Sequence, residues 1–241
     1  MSVIFAKLGK YGRLGNSLFQ IAATVAHANK NNDSYAFPHW EYEKDFNIPK
    51  ECFIDNVFFK NTFEEPHFHY AGIPYKEHQN LFGYFQSYKY FQDDSKIKSL
   101  LRPKCAAWER PDTGKTSIHV RRDDYLIHKN CYNILTMNNY YEKAMELSDS
   151  KKFLVFSDDM PWCKKHFIGN QFEFSEGKTP VEDLGRMLKC QHHIIANSSF
   201  SWWGAYLGKN NKVIAPKIWF GSQLAPTHDT KDLLPSDWLR I

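Results

Sequence analysis

The sequence predicts an α/β protein built on parallel β-sheet, and two observations support this. The chain opens with a short apolar segment at residues 3–8, then a glycine-punctuated turn, then apolar residues at helical spacing. The second half alternates short, β-branched apolar runs with segments that begin at helix-capping residues. Strands that alternate with helices in this way are typical of a parallel sheet covered by helices on both faces.

The first half of the chain begins with this strand–turn–helix unit. A helix is predicted from about Leu14 to Lys30, because apolar residues recur there at positions 18, 21, 22 and 25. The turn before it, residues 9–17, matches neither the dinucleotide-binding nor the P-loop fingerprint. It is therefore either a ligand-binding loop or a tight turn that needs glycine for its backbone angles.

Residues 31–80 are the least regular part of the sequence. Three short strands are predicted there, at residues 35–37, 57–59 and 68–70. An aromatic segment, residues 83–91, is expected to lead into a helix that ends near Leu101. His67 and His69 would share one face of a strand, but a surface pair is favoured over a metal site because no third ligand is in view.

The second half of the chain has a clearer pattern. A polar stretch with two prolines, residues 103–114, is the predicted linker that precedes it. Beyond the linker, strands are predicted at residues 116–120, 153–156, 193–196 and 212–215. Helices are predicted at residues 139–147, from 161 onward, at 180–188 and at 200–207. Capping-box patterns open two of these helices, at residues 139–142 and 179–182.

Charged and polar side chains follow three of these strands: Arg121-Arg122-Asp123-Asp124, Ser157-Asp158-Asp159, and Asn197-Ser198-Ser199. Because the carboxyl ends of parallel strands meet at one edge of the sheet, we expect the three segments to converge. Adjacent guanidiniums suit a diphosphate, a carboxylate suits the N–H groups of guanine, and serines at a helix N-terminus suit phosphate. The pattern therefore predicts a site for a nucleoside diphosphate.

Each of these features also has a purely structural interpretation. The arginines and aspartates could form a solvated charge run whose members pair with one another. Asp158 and Asp159 could cap a helix, and so could the serine pair. A metal site is poorly supported, since His192 and His193 are neighbours on a strand and point to opposite faces. The coincidence of three such strand ends favours the ligand site.

Composition narrows the class of protein further. Aromatic residues make up 16% of the chain, a fraction typical of surfaces that stack on sugars or other flat ligands. The net charge of +4 is too small to favour nucleic-acid binding. The five cysteines are dispersed, which predicts reduced thiols, and neither a signal peptide nor a membrane span is visible. We therefore expect a soluble, cytoplasmic protein.

These motifs resemble those of the α-1,2-fucosyltransferases, glycosyltransferase family 11. The segment His119-Val-Arg121-Arg122-Asp-Asp124-Tyr is similar to the family's HxRRxD motif, which also occurs in the α-1,6- and protein O-fucosyltransferases. Further segments resemble the family's other blocks in the same order: GRLGNSLFQ (12–20), GYFQS (83–87), FSDD (156–159), PVEDL (180–184) and NSSFSWWGA (197–205). The resemblance spans most of the chain.

The resemblance implies a fold and a reaction. The fold would be α/β and GT-B-like, with two Rossmann-like domains whose parallel sheets face each other across a cleft. Residues 1–112 would form the N-terminal, acceptor-side domain, and residues 113–241 the C-terminal domain that binds the GDP-sugar. The donor would be GDP-β-L-fucose and the acceptor a galactose-containing oligosaccharide. Transfer would invert the anomeric centre and need neither a metal nor another cofactor.

The resemblance also implies roles for individual residues. Arg121 would clamp the pyrophosphate and stabilise the leaving group, with Arg122 in support. The other residues implied in donor binding are His119, Asp158, Ser198, Ser199, Arg13 and Gly15. Asn16 would face the fucose and is a candidate catalytic residue. Asp124 is either the general base or a group that orients Arg121.

Two other classes of function remain open at this point. A transferase could use another GDP-sugar, a different acceptor or a different linkage within the same pocket. A non-catalytic carbohydrate-binding protein would explain the aromatic content, but it would not explain paired arginines at a strand end.

Overall fold

A computed structural model of the chain describes residues 2–105, 114–208 and 212–241, which divide into two compact units. The N-terminal unit comprises Met1–Lys104 and Thr227–Pro235, and the C-terminal unit comprises Cys105–Pro226 and Ser236–Ile241. The predicted boundary between residues 112 and 113 and most of the predicted linker lie outside the described residues. No pattern in the sequence predicts that residues 227–235 return to the N-terminal unit.

The N-terminal unit contains a parallel sheet and one long helix. Its strands and helices are β1 (Ser2–Ile4), α1 (Leu14–Lys30), β2 (Ser34–Ala36), β3 (Asn61–Glu64), β4 (Gln79–Phe82) and α2 (Ile97–Leu100). The strand order is β2-β1-β4-β3, and every pairing is parallel. Short 3₁₀ turns lie at Glu43–Asp45, Lys50–Cys52 and Tyr88–Tyr90. The opening strand–turn–helix unit is therefore confirmed.

Helix α1 is the centre of this unit, because 14 of its 17 residues are buried. Three of its buried polar residues, Gln20, Thr24 and His27, form side-chain hydrogen bonds. Thr24 Oγ1 donates to the carbonyl of Gln20 at 2.7 Å, and the Gln20 side-chain amide donates to the carbonyl of Tyr11 at 2.8 Å. His27 pairs with the side chain of Gln79 at 3.0 Å. These bonds fix the helix against both the turn before it and strand β4.

Several of the strands and helices predicted for the first half of the chain differ from those in the structure. The strand expected at residues 57–59 lies instead at Asn61–Glu64, and residues 68–70 form no strand. The helix expected to run to Leu101 is the single turn α2. Strand β4 went unpredicted because its pattern is broken by two buried amides, of which Asn80 accepts a hydrogen bond from the backbone of Ala6 at 3.0 Å. Tertiary hydrogen bonding thus replaces the hydrophobic signal on which strand prediction depends.

The C-terminal unit contains a larger parallel sheet. Its elements are β5 (Thr116–Val120), α3 (Asp123–Ile127), α4 (Tyr140–Ser148), β6 (Phe153–Ser157), α5 (Met160–His166), β7 (Phe172–Phe174), α6 (Pro180–Leu188), β8 (His192–Ile194), α7 (Ser199–Leu207), β9 (Lys212–Ala215) and β10 (Leu239–Arg240), with a 3₁₀ turn at Leu135–Met137. The strand order is β10-β9-β8-β5-β6-β7, all parallel. The four strands predicted beyond the linker are confirmed.

Helices cover both faces of this sheet, as predicted. Alternate residues of β6 point to opposite sides. Phe153 and Val155 belong to a core cluster with residues of α4 and α5. Leu154 and Phe156 belong to a second cluster, with Met187 of α6 and with Phe200 of α7 packed against it. A strand buried on both sides explains the continuous apolar run FLVF.

The two predicted capping boxes have different outcomes. Thr179 Oγ1 accepts from the backbone N–H of Glu182 at 3.2 Å, so it caps α6 as expected. Asn139 makes no side-chain cap and adopts a left-handed backbone with φ of +56°, while Asn138 accepts from the N–H of Tyr140 at 3.3 Å. The helix begins where it was predicted, but the asparagine one residue earlier supplies the acceptor.

Within the part of the chain that is described, no helix is both long enough and apolar enough to cross a lipid bilayer.

The Thr179 cap leads to a stability prediction. Replacing Thr179 with Ala leaves one N–H at the start of α6 without its acceptor and should lower the free energy of unfolding by about 1 kcal/mol. Thr179→Ser keeps the hydroxyl and should lose only a small part of that. Urea denaturation of the three proteins measures the difference, and equal losses for the two variants would contradict the capping role.

Candidate functional site

The charged residues at positions 121–124 and 158–159 lie at the carboxyl edge of the C-terminal sheet. Strands β5 and β6 are neighbours, and their register pairs Val120 with Ser157. Arg121 and Arg122 therefore emerge beside Asp158 and Asp159. Strand β8 pairs with β5 on its other side, so the segment that follows β8 leaves the sheet at the same edge.

Arg121 is held between two carboxylates. One terminal nitrogen of its guanidinium donates to Asp158 at 2.9 Å, and the other pairs with Asp124 in the first turn of α3. The guanidinium also lies 5.4 Å from the ring centroid of Tyr125. The Tyr125 hydroxyl donates to the carbonyl of Asn197 at 2.7 Å, which links the segment after β5 to the segment after β8. Arg121 is thus fixed from three sides before any ligand binds.

Arg122 is fixed by a different set of groups. Its Nε donates to Asp159 at 2.9 Å and its Nη1 to the hydroxyl of Thr136 at 3.1 Å. Its guanidinium lies 4.2 Å from the ring centroid of Trp162, the distance of a cation–π contact. Its backbone N–H donates to Asp158 at 3.0 Å. These contacts make Arg122 a brace that joins β5 to the start of α5.

The two neighbouring aspartates have opposite electrostatic surroundings. Burial raises the pKa of Asp158, although the charge of Arg121 acts in the other direction. The hydrogen bond from Arg122 lowers the pKa of Asp159. Asp159 also accepts from the N–H of Trp162 at 3.1 Å, so the helix-cap interpretation is confirmed for this residue. Asp158 instead holds both arginines, through the side chain of one and the backbone of the other.

His119 lies in β5, two residues before Arg121, and is buried. Burial, together with the charge of Arg121, lowers the pKa of its imidazole to about 3, so the ring is neutral at physiological pH. Its ring packs 5.5 Å from that of Phe200, and its Nδ1 has no hydrogen-bond partner among the described residues. The backbone carbonyl of His119 accepts from the hydroxyl of Tyr141 at 3.0 Å. The buried Nδ1 therefore has a free hydrogen-bonding position that a ligand can fill.

The serine pair lies at the start of α7. Ser198 is the N-cap and its hydroxyl accepts from the N–H of Phe200 at 3.4 Å, so the capping interpretation holds for Ser198. Ser199 is the first residue of the helix. Asn197 is buried, and its side-chain amide donates to the carbonyls of Asn133 at 3.0 Å and Trp219 at 2.7 Å. The asparagine therefore anchors the loop that presents both serines.

The remaining predicted site residues belong to the N-terminal unit. Arg13 is the exposed N-cap residue of α1, and Gly15 and Asn16 lie in its first turn. The Asn16 side-chain carbonyl accepts from the amide of Gln86 at 3.0 Å. Gly12 has φ of +99°, and a Cβ there would lie 2.3 Å from the side chain of Asn16. Glycine is thus required at position 12 by the backbone and by the asparagine.

Sequence reasoning missed several residues that shape these loops. Tyr125, Thr136 and Trp162 hold the two arginines, and Glu65 accepts two backbone N–H groups in the N-terminal unit. Thr136, Trp162 and Glu65 act through tertiary packing and belong to no local motif, so among these residues only Tyr125, in the segment 119–125, had a signal in the sequence. No group of three histidine, cysteine or acidic residues in the described ranges could hold a metal ion.

The chain as a whole is similar to known glycosyltransferases. The profile described as Glycosyl transferase family 11 matches residues 18–241, which leaves Arg13, Gly15 and Asn16 outside the match. The chain is 30% identical over 295 aligned positions to an α-1,2-colitosyltransferase of Escherichia coli, and the match covers 100% of this chain and 99% of that protein. It is 37% identical over 139 residues to the O-antigen biosynthesis glycosyltransferase WbnK of Escherichia coli, covering 52% of this chain and 44% of that one.

Two solved structures share the fold. The fucosyltransferase NodZ from Bradyrhizobium has a TM-score of 0.53 at 10% identity, covering 86% of this chain and 92% of its own. POFUT1 in complex with GDP has a TM-score of 0.53 at 12% identity, covering 87% of this chain and 95% of its own. At such low identity the likeness concerns the fold alone, and it confirms the predicted GT-B-like α/β class.

The buried imidazole of His119 leads to a prediction about pH. A histidine whose pKa is lowered by folding takes up its proton mainly when the chain unfolds, so stability is lost as the pH falls below about 6.5. His193 is buried with its pKa lowered to about 3 as well, and should contribute in the same direction. Between pH 7.5 and pH 5, His119→Gln should remove about 2 kcal/mol of the total loss.

Urea denaturation at the two pH values measures this, with the exposed His128→Gln as the matched control. An equal loss of stability in wild type and His119→Gln would show that the imidazole is already protonated in the folded chain.

Proposed function

The chain belongs to glycosyltransferase family 11, and we propose that it transfers L-fucose from GDP-β-L-fucose to the 2-hydroxyl of a galactose-terminated glycan. The proposed reaction inverts the anomeric centre and needs no metal ion. One observation carries the proposal: the Arg121 guanidinium is fixed at a strand end, between two carboxylates, within a segment of the HxRRxD form.

The proposed chemistry follows from where charge develops. An acceptor hydroxyl attacks C1 of fucose through an oxocarbenium-like transition state while negative charge builds on the β-phosphate of the leaving GDP. A guanidinium has five N–H donors, and Asp124 and Asp158 each engage one of its terminal nitrogens. The other donors are the ones we assign to the diphosphate. Because Arg121 is held in place in advance, it stabilises the developing charge without reorganising.

The two aspartates of the motif receive different roles. Asp124 is paired with Arg121, which supports the orienting role over that of general base. Asp123 is exposed, in the first turn of α3. Arg122 is braced by Asp159, Thr136 and Trp162, which supports a role in holding Arg121 and the loop rather than a clamp of its own.

The remaining site residues keep the roles implied by the family. His119 and Asp158 are proposed to lie near the guanine. Ser198 and Ser199 are proposed to contact the phosphates or the ribose. Arg13, Gly15 and Asn16 are proposed to contact the fucose. The neutral, partnerless Nδ1 of His119 supports its assignment, since a ligand could satisfy that buried atom.

A second donor is favoured by one specific observation. One relative that matches the chain over its whole length is named as an α-1,2-colitosyltransferase. Colitose is L-fucose without its 3-hydroxyl. The GDP-linked forms of the two sugars therefore present the same diphosphate and an equivalent C1 to the arginine. The second candidate function is therefore transfer of colitose from its GDP-sugar through the same site.

The Arg121 assignment gives the main prediction. Arg121→Ala should lower kcat/KM by at least about 100-fold, because loss of one preorganised donor to a developing oxyanion has an effect of that size in other enzymes. Arg121→Lys keeps the charge but loses the planar pair of donors, and should recover only part of the rate. GDP release, measured with a panel of GDP-sugars and galactose-terminated acceptors in the presence of EDTA, provides the test.

The melting temperature of each variant controls for folding. Near-normal turnover by Arg121→Ala would overturn the assignment, and EDTA-sensitive turnover by the wild type would overturn the metal-free mechanism. Preference for the 3-deoxy donor would select the colitosyl alternative, and glycan binding without GDP release from any donor would favour a binding protein.

A further inference from the structure

Glu65 is a carboxylate in the N-terminal unit to which the proposed mechanism gives no role. It follows the last residue of β3, at the carboxyl edge of that unit's sheet. One of its oxygens, Oε2, accepts from the backbone N–H of Tyr84 at 2.8 Å and of Phe85 at 2.9 Å. The other, Oε1, accepts from the hydroxyl of Tyr90 at 3.4 Å. A single side chain thus holds the turn that follows β4.

The backbone of this turn is strained, and Glu65 compensates for the strain. Phe85 has φ of +52°, a left-handed conformation that is uncommon for a bulky residue and persists only where the surroundings enforce it. Gly83 has φ of +157°, and a Cβ there would lie 2.4 Å from the Cβ of Glu65. The two N–H groups that donate to Glu65 belong to Tyr84, which lies between Gly83 and Phe85, and to Phe85 itself. The carboxylate therefore stabilises a conformation that the chain would otherwise leave.

The turn held by Glu65 carries the partner of a predicted site residue. Gln86 follows Phe85 directly and donates to the side-chain carbonyl of Asn16. Tyr84 stacks on Tyr11 at 4.5 Å between ring centroids, and Tyr11 lies in the loop just before Arg13. The carbonyls of Tyr11 and Gly83 both accept from the side chain of Gln20. The turn after β4 and the loop before α1 are consequently one connected structure.

An anionic group is an unfavourable choice if its only task is to accept two N–H bonds. Burial raises the pKa of Glu65 to about 7, while the two backbone N–H bonds act in the opposite direction. The side chains that face it are tyrosines: Tyr90 from the 3₁₀ turn, and Tyr11, whose own pKa is raised to about 12. No lysine, arginine or histidine of the described residues forms an ion pair with it. A glutamine would accept the same bonds without the cost of burying a charge.

We infer that Glu65 is a positioning residue of the transfer reaction, which holds residues 83–86 in the conformation in which Gln86 fixes Asn16. The inference rests on the proposed function, because it takes Asn16 and its loop to contact the donor sugar. The ionised carboxylate binds the two N–H groups more strongly than a neutral acceptor does. The orientation of Asn16 should therefore improve as the pH rises through the pKa of Glu65.

Glu65→Ala tests this inference by removing both acceptors. The variant should lower kcat/KM for the donor by between about tenfold and a hundredfold, mainly through KM, as misplacement of a contact residue does. Glu65→Gln keeps an acceptor for the two N–H groups and should stay within about threefold of wild type at pH 8. It should also lose the acidic limb of the wild-type profile near pH 7. Glu64→Ala, an exposed neighbour at the end of β3, is the matched control and should behave as wild type.

A double-mutant cycle tests whether Glu65 acts through Gln86. The double variant Glu65→Ala, Gln86→Ala should be no slower than the slower single variant, whereas independent roles would multiply the two losses. Unchanged kinetics in Glu65→Ala, or multiplied losses in the double variant, would overturn the inference.

Two further outcomes separate this inference from its alternatives. A loss of kcat above about 100-fold in Glu65→Gln with KM unchanged would identify a proton acceptor instead of a positioning residue. Absence of transfer by wild type and Glu64→Ala alike would overturn the proposed function and this inference together. Transfer by wild type with an unaffected Glu65→Ala would overturn this inference alone.

Discussion

The ion pairs of Arg121 with Asp124 and Asp158 organise the carboxyl edge of the C-terminal sheet. They join the end of β5 to the first turn of α3 and to the end of β6. Asp158 also accepts the backbone N–H of Arg122, so one carboxylate sets the course of the chain through both arginines. A guanidinium that leaves a buried strand needs such partners, because an unpaired charge at 15% side-chain exposure would be costly. The loops around this edge are arranged to supply them.

In the N-terminal unit, the loops at the predicted site are marked by unusual backbone conformations instead of ion pairs. Its loop before α1 needs glycine at position 12, and its turn after β4 places Phe85 in a left-handed conformation. Side chains hold both segments, since Gln20 bonds the carbonyls of Tyr11 and Gly83. Conformations of this kind persist when their surroundings over-determine them, and they cluster where a chain must present groups to a ligand. Rigid strands and one buried helix provide that surrounding here.

Much of the C-terminal unit was predictable from the sequence because its strands are buried on both faces. The run from Phe153 to Phe156 has no polar interruption, and Thr179 sits three residues before an acidic residue at a helix start. The N-terminal unit was less predictable for a physical reason. Strand β4 contains Gln79 and Asn80, whose amides bond to other elements, and such bonds leave no periodic signal. The return of residues 227–235 likewise depends on tertiary contacts.

The site divides in the same way. The strand ends bearing Arg121, Asp158 and Ser198 were predictable because parallel strands share an edge. The groups that brace them were not, since Thr136 and Trp162 reach Arg122 only through the fold. The dual role of Asp159, as helix cap and as partner of Arg122, also required coordinates. A motif identifies the residues that leave a strand together, while their orientation is decided by side chains far away in sequence.

The charge balance at this edge constrains how a diphosphate could bind there. The segments that follow β5 and β6 carry two arginines (Arg121, Arg122) and four aspartates (123, 124, 158 and 159), so their formal net charge is −2. An incoming anion therefore binds Arg121 against a local excess of carboxylates, through the donors that Asp124 and Asp158 leave unused. The Asp124 side chain is 34% exposed and that of Asp158 is 15% exposed. Because Asp124 can regain water more readily, releasing it costs less than releasing Asp158, which also holds the backbone of Arg122. Of the two partners of Arg121, Asp124 is therefore the one that can adjust to the bound anion, while Asp158 keeps Arg121 in position.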